Sequence, residues 1–448
     1  MTVDSPPEVV PAVGWRFPSV RESVLRNGVR MLAYHCPGQY VVSASLVFDV
    51  PLNAEPPDVE GVAGLVARCL VRGAGGLSAD DFSDALAACG AELEASASPD
   101  GFAVQLSVPV SQLARGLDLM AMAVVEPSYA AKEFEQEKRL RLQEIEQAKA
   151  YPGSVTVECL NAALFGDARA ARPVGGTTAS VEATSREDLA AYASSHLHPG
   201  NATLVVAGDF SGVEPGELAD RSLGRWTGEG GAMVEPEGSP VSRRPRVLVI
   251  DWPDAPQATV RLAGPGITRG DSRWPAMFVA NYVVGGSFGS RLNTVLREQK
   301  GLTYGVSSSL ESGRRVGLVG ISASVQSAAT SDAVSDVLAI LREASGTLTV
   351  EEVAVGVRAA TDSAALGFER AAAVVARVEM LVTHGLPLDH VDANLARIRE
   401  VTAAVANAAY TEVVHSEELT VVVAAAAKSV AEPLGALGHA PVEVVARP

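Results

Sequence analysis

The stretch Gly61-Val62-Ala63-Gly64-Leu65-Val66-Ala67-Arg68-Cys69-Leu70-Val71 sets Val62, Leu65, Val66, Cys69 and Leu70 at i, i+3, i+4, i+7 and i+8. That spacing is one apolar face of an α-helix running from about Val62 to Val71. Just before it, ASLVFDVPLNAEPP (44–57) begins as a strand-like apolar run and ends in prolines. The strand-then-helix unit occurs twice. In the second half ATVRLAGPGITRGD (258–271) reads as the strand and WPAMFVANYVVGG (274–286) as the helix, closed by the pair Gly285–Gly286.

The echo continues along both halves. FAVQLSVPV (102–110) and GLVGISASV (317–325) alternate as half-buried strands do, and helical segments follow each. Each half closes on a β-branched run, ATLVVAGDF (202–210) and LTVVVAAAA (419–427). Between the halves, TGEGGAMVEPEGSPVSRRPR (227–246) replaces periodic apolar residues with glycine, proline and charge, which marks a linker. The expected organisation is an N-terminal arm (1–15), a first domain (16–226), the linker (227–246) and a second domain (247–448). Strand alternation with helices on one face implies an α+β class built from two homologous α/β sandwich domains. A capping box at Thr184-x-x-Glu187 is expected to start the helix before the first closing strand.

Composition bounds the partners. With 448 residues the chain can bury two sizeable cores. A net charge of −17 argues against nucleic acid, because phosphate contacts need clustered Lys and Arg. The longest apolar run, Thr420–Ala427, is far too short to span a membrane. Cys36, Cys69, Cys89 and Cys159 stand apart with no CxxC spacing, as expected of reduced cysteines in a cytoplasmic protein. Met1–Trp15 carries Asp4, Glu8 and prolines without a basic cluster or an apolar core, and reads as a loose arm. The histidines His35, His196, His198, His384, His390, His415 and His439 are scattered or lie in loops, so solvent or capping roles are expected of them. No Gly-x-Ser-x-Gly elbow and no phosphate-binding glycine loop is present.

Over nearly its whole length the pattern resembles the pitrilysin and mitochondrial-processing-peptidase family, the inverted zincins. That family carries His-x-x-Glu-His in a phrase like Gly-Leu-Ala-His-Phe-Leu-Glu-His-Met, and the matching phrase here is Gly61 to Cys69. Gly64 stands at the first histidine, Ala67 at the glutamate base and Arg68 at the second histidine. Zinc needs neutral imidazole or anionic ligands, and a general base must accept a proton, so these three residues supply neither. Glu144, in KEFEQEKRLRLQEIEQ (132–147), matches the third ligand, and Glu137 the accompanying acid one heptad earlier. Read alone, that helix is a solvated face laced with i,i+4 pairs such as Glu137–Arg141. The resemblance suggests something sharper, with the Arg68 guanidinium filling the vacated position and pairing with Glu144.

The second half, by contrast, keeps a family-like phrase. Ser290-Arg291-Leu292-Asn293-Thr294-Val295-Leu296-Arg297-Glu298-Gln299-Lys300-Gly301-Leu302-Thr303-Tyr304-Gly305-Val306 is similar to the family phrase Ser-Arg-Leu…Leu-Arg-Glu-Lys-x-Gly-Leu-x-Tyr. There an arginine, and a tyrosine seven residues later, face the metal across a closed clam-shell and bind the substrate carbonyl; Arg297 and Tyr304 match them. A helix over about 291–299 followed by a strand starting at Tyr304 would bring both side chains together, and both are donors suited to a developing oxyanion.

The resemblance therefore implies half of a clam-shell, with no metal and no cofactor held by this chain. The expected function is the zinc-free subunit of a heterodimeric zinc metalloendopeptidase. Arg297 and Tyr304 would be its catalytic and substrate-binding residues, zinc would sit in a homologous His-x-x-Glu-His-bearing partner, and a peptide or small protein would be the substrate. The alternative is a non-catalytic assembly or peptide-binding protein of the same fold.

Overall fold

The computed structural model describes residues 15–228, 230–231, 233–238 and 241–447; the arm expected over 1–15 lies outside them except for Trp15, as do four positions of the expected linker. The first half forms a six-stranded sheet from β1 (Val20–Val24), β2 (Arg30–His35), β3 (Val41–Phe48), β4 (Glu92–Ser98), β5 (Gly101–Pro109) and β6 (Ala202–Gly208), in the order β1-β2-β6-β3-β5-β4. The second half forms another from β7 (Val247–Asp251), β8 (Gln257–Pro265), β9 (Thr303–Ser312), β10 (Gly317–Gln326), β11 (Thr420–Ala425) and β12 (Val442–Val445), in the order β12-β7-β11-β8-β10-β9. The repeat holds to the level of strand order. In both sheets the closing strand inserts next to an earlier one in parallel, β6 beside β2 and β11 beside β7. Only the outermost strand differs, since β1 runs antiparallel to β2 and β12 parallel to β7. The class is α+β, as the sequence implies.

The closing strands explain why helices on one face do not suffice. Every residue of β11 is buried, and so are all but one of β6, so both faces of these strands are covered. One face of the first sheet packs its own helices, including Val62–Leu70 and Leu113–Val125. Its other face, at Leu32, Tyr34, Val47, Val205 and Ala207, is covered by Val374, Val375, Val378 and Leu381 of the second-half helix Ala371–Thr383. The exchange is mutual. Val155, Leu160 and Leu164 of the first-half helix Pro152–Phe165 cover Leu248, Ile250, Val422 and Ala424 of the second sheet. Each half thus completes the other's core.

Local boundaries follow the sequence closely, with one correction. The expected capping box at Thr184 and Glu187 is displaced by one residue. Ser185 accepts from the Asp188 N–H, Asp188 accepts in return from the Ser185 N–H, and helix Arg186–His196 follows. Thr184 instead donates its hydroxyl to Ser180 O and ends the preceding helix. Both registers fit the cap pattern, and the second uses the Asp carboxylate that reaches back more directly. Among the described residues no helix is long and apolar enough to cross a membrane.

Because the two cores interlock, they should melt as one. Leu381→Ala removes a fully buried side chain from the first sheet's outer face, and the expected loss is about 2–5 kcal/mol. Denaturant unfolding followed by circular dichroism should show a single transition at a lower midpoint; a second-half transition that moves alone would contradict the interlock.

Candidate functional site

The helix Val62–Leu70 is fixed at its start by a buried acid. Glu55 Oε1 accepts from the N–H groups of Gly61 (3.1 Å) and Ala63 (3.0 Å), while Arg169 Nη2 donates to Glu55 Oε2 at 2.8 Å. Burial pushes the Glu55 carboxyl above the usual range despite the opposing Arg169 charge. Gly61 has φ 96°, and a Cβ there would lie 2.6 Å from Gly176 N, so only glycine admits this close approach of two backbones.

Arg68 projects from this helix onto the helix Ala131–Lys149. Its Nη2 donates to Glu144 Oε1 at 2.7 Å and its Nη1 to Glu137 Oε2 at 3.4 Å. Arg72 Nε donates to the other Glu137 oxygen at 2.9 Å, and Arg141 Nη1 to Glu144 Oε2 at 3.3 Å. The Glu137 side chain is only 3% exposed, so it needs these cations. Burial opposes the Arg68 charge, but hydrogen bonds and charge from Glu144 and then Glu137 outweigh it and raise its pKa above the ordinary arginine value. Burial likewise pulls Glu144 upward, and Arg68 and Arg141 more than reverse this, holding it below the usual carboxylate range.

The vacated-position arrangement read from the sequence is therefore formed, whereas the plain i,i+4 pair Glu137–Arg141 is not. Glu137 turns inward to the neighbouring helix, and Arg141 Nε donates to Gly175 O at 2.9 Å. Zinc does not fit here: Gly64 and Ala67 offer no lone pair and Arg68 is a cation. Ala67 is buried, and a Cβ at Gly64 would meet only Gly175 Cα, at an ordinary 3.5 Å.

The second candidate group lies at the edge of the second sheet. The helix expected over 291–299 forms, but it is α-helical only over Arg291–Asn293 and π-helical over Thr294–Gln299, a local widening often found at functional positions. Arg297 sits on the widened turn, with its guanidinium carbon 3.8 Å from the Phe288 ring centroid. Its Nη1 is buried and lies 3.0 Å from Glu298 Oε1 without forming a hydrogen bond. Tyr304 stands on the edge strand β9 and is 91% exposed, and its side chain forms no hydrogen bond among the described residues. Val306 pairs with Ala323 and Thr303 with Val325, so Tyr304 and Gly305 together oppose Ser324 in a β-bulge. The Thr303 hydroxyl pins that bulge, donating to Ser324 O at 2.7 Å and accepting from the Gly305 N–H at 3.1 Å.

Sequence reasoning missed the residue that ties these elements together. Asn293 Oδ1 accepts from the Val306 N–H (3.1 Å) and Asn293 Nδ2 donates to Val306 O (2.9 Å). A buried amide one helical turn before Arg297 thus clamps the strand two residues beyond Tyr304. A polar residue at a buried helical position within the phrase was the available signal. Phe288, 71% exposed and stacked on Arg297, was likewise not singled out.

The remaining candidates are structural. His35 Nδ1 accepts from the Phe210 N–H and His198 Nδ1 from the Gly200 N–H. Cys69 is buried, and burial pushes its thiol up to about 12, too high for a nucleophile. A cavity of about 1230 Å³ opens between the halves, bounded by Ser96, Tyr151, Arg261, Glu311 and Glu379.

Two outcomes test the Arg68 arrangement. Arg68→Met should lower stability by about 1–3 kcal/mol. Glu144 has a folded pKa below its unfolded value, so its share is complete above ~4.3 and disappears as pH falls through the folded pKa. The Tm gap between wild type and variant should therefore narrow in acid; a constant gap would argue against charge pairing. Conversely, the combined Gly64→His, Ala67→Glu and Arg68→His variant should take up one zinc by isothermal titration, with Glu144 as third ligand. Failure of a folded variant to bind would show that the helices no longer hold metal geometry.

Comparison with known proteins places this arrangement in context. Residues 30–178 match the insulinase, peptidase family M16, and residues 183–359 match the peptidase M16 inactive domain. An uncharacterized zinc protease of Streptomyces coelicolor is 27% identical over 86% of this chain and 85% of its own. The peptidase M16 inactive domain from Pseudomonas fluorescens superposes with TM-score 0.84 at 22% identity, covering 91% of this chain and 98% of that one. A chain of complex III2 from Candida albicans superposes with TM-score 0.77 at 17% identity, covering 94% and 99%. The two family matches together span both halves over most of the length: the chain belongs to the peptidase M16 family.

Proposed function

We propose that this chain is the zinc-free subunit of a two-subunit zinc metalloendopeptidase, binding a peptide or small protein and lending Arg297 and Tyr304 to a partner's active site. The observation that carries the reading is the contrast between the two candidate groups. At the first, a guanidinium stands where a ligand would be needed, bonded to the residual acid Glu144. At the second, Tyr304 is held out on a pinned bulge, 91% exposed and without a side-chain hydrogen bond among the described residues, and the widened helix that precedes its strand carries an arginine braced by Phe288. Holding a tyrosine in the open on a distorted edge strand has no benefit to the core, and it suits a donor whose partner arrives from outside.

In this reading the metal and the general base belong to the partner. This chain's residues bind and orient the peptide: the Arg297 guanidinium and the Tyr304 hydroxyl donate to the scissile carbonyl oxygen, most strongly as it becomes an oxyanion. The exposed edge of β9 offers main-chain groups to an extended segment, and the mixed-charge cavity adjoining Glu311 at the far end of that strand gives the segment room. The likeness to a chain of complex III2 supports a second reading, a non-catalytic assembly protein of the same fold.

The readings separate in the assembled complex. Arg297→Ala and Tyr304→Phe are each expected to lower kcat by ~10²–10³, the usual effect of removing one oxyanion donor, while co-purification of the subunits is unchanged. Unchanged turnover in both variants would discard the donor role, and a stable complex without peptidase activity would favour the assembly reading.

A further inference from the structure

The π-helical turn that carries Arg297 has a counterpart. Tyr282–Gly286, which continues the helix Trp274–Asn281, is π-helical as well. Both turns border one cavity of about 400 Å³ among the helices of the second half, Tyr282 and Val283 on one side and Thr294 and Val295 on the other. A π-turn holds an extra residue and widens the helix, so neighbours that pack on regular turns leave a gap beside it.

The gap is framed so that it stays open. Helix Val350–Asp362 is held at its first turn by Arg291, which donates from Nε to Glu352 Oε1 at 2.7 Å and from Nη2 to Glu352 Oε2 at 2.6 Å and Thr347 O at 2.7 Å. One turn on, Gly356 approaches the helix Trp274–Asn281 so closely that a Cβ would stand 3.1 Å from Val279 Cγ1. Val355 lies between these two fixed points, lines the cavity and is 48% exposed. The walls are aliphatic, from Val283, Val295, Ile340 and Val355. Three charged residues also line the space. Arg291 and Glu352 neutralise each other, whereas among the described residues the Glu343 carboxylate forms no ion pair and accepts no hydrogen bond. Arg342, next to it in sequence, does not line the cavity, as adjacent positions on a helix face different ways. On the same helix Asp336 is already paired with Lys300 at 2.7 Å.

We infer that this cavity is a binding site for an alkylammonium group, with the aliphatic chain against the valine and isoleucine walls and the charged head at Glu343. The volume falls at the small end of ligand pockets, and a mostly apolar lining with one unpaired charge is how such pockets fix orientation. The excess negative charge selects a cation over a carboxylate, and the aliphatic walls select a chain over a bare ion. Thr294 and Val295 belong to the turn that carries Arg297, so an occupant would touch that turn directly. The site stands independently of the peptidase reading.

Isothermal titration of the full chain with n-hexylamine at neutral pH, where the amine is charged, tests this. Saturable uptake of one molecule per chain is expected, with n-hexanol and hexanoate binding more weakly. Glu343→Gln, a change at an exposed position, should weaken hexylamine about fivefold, the upper end for an ion pair at a rim, and leave hexanol unchanged. Val355→Trp should fill the mouth and abolish uptake of both. A capped Gly-Lys-Gly peptide separates the two sources of this chemistry: binding comparable to hexylamine assigns the site to a lysine side chain of another protein, and hexylamine alone assigns it to a free amine. No saturable uptake by the wild type, hexanoate binding as tightly as hexylamine, or an unchanged affinity in Glu343→Gln would each overturn the assignment.

Discussion

A buried carboxylate must have a positive partner, and the first half of this protein is organised around that requirement. Glu137 is almost fully enclosed between two packed helices, with Glu144 one heptad further along, and Arg68 bridges both. The guanidinium does electrostatically what a bound cation would do in a metal-bearing relative: it neutralises the acids and joins the two helices. It differs in having no lone pair and no open coordination position, so it cannot activate water. Structural and chemical roles of the position are thereby separated.

That separation has meaning only because the two halves are mechanically one body. Helices Pro152–Phe165 and Ala371–Thr383 each cover the other half's sheet, so strain or order in one core is felt in the other. Among the described residues the edge strand β9, which presents Tyr304, pairs only with β10 and projects from this interlocked base. Asn293 and Thr303 then set the local geometry, one fixing strand to helix and the other pinning the bulge. On the proposed reading, such fixing of helix to strand would pre-organise the donors, as an oxyanion site in trans would require.

Much of this was legible in the residues. The duplication, the helix from Val62, the strands at 102–110 and 317–325 and the Arg68–Glu144 pairing all follow from periodicity and from motif positions. Three features did not follow. The second coverage of each sheet was hidden because an all-apolar strand such as Thr420–Ala425 announces burial on both faces without saying which helix provides it. The Glu137–Arg141 pair was the reasonable local expectation, and a contact between distant helices overrode it. The bulge at Tyr304 and Gly305 depends on cross-strand register, which side-chain pattern in one strand does not encode.

The central claim is that hydrolysis involving this chain must borrow its metal, because Gly64, Ala67 and Arg68 give a divalent cation nothing to bind. Metal analysis of the purified chain by mass spectrometry, together with a peptidase assay with and without a His-x-x-Glu-His-bearing partner, tests it most directly. The account predicts sub-stoichiometric zinc and no cleavage by the isolated chain, with activity appearing on mixing. One tightly held zinc per chain and proteolysis by the chain on its own would contradict it.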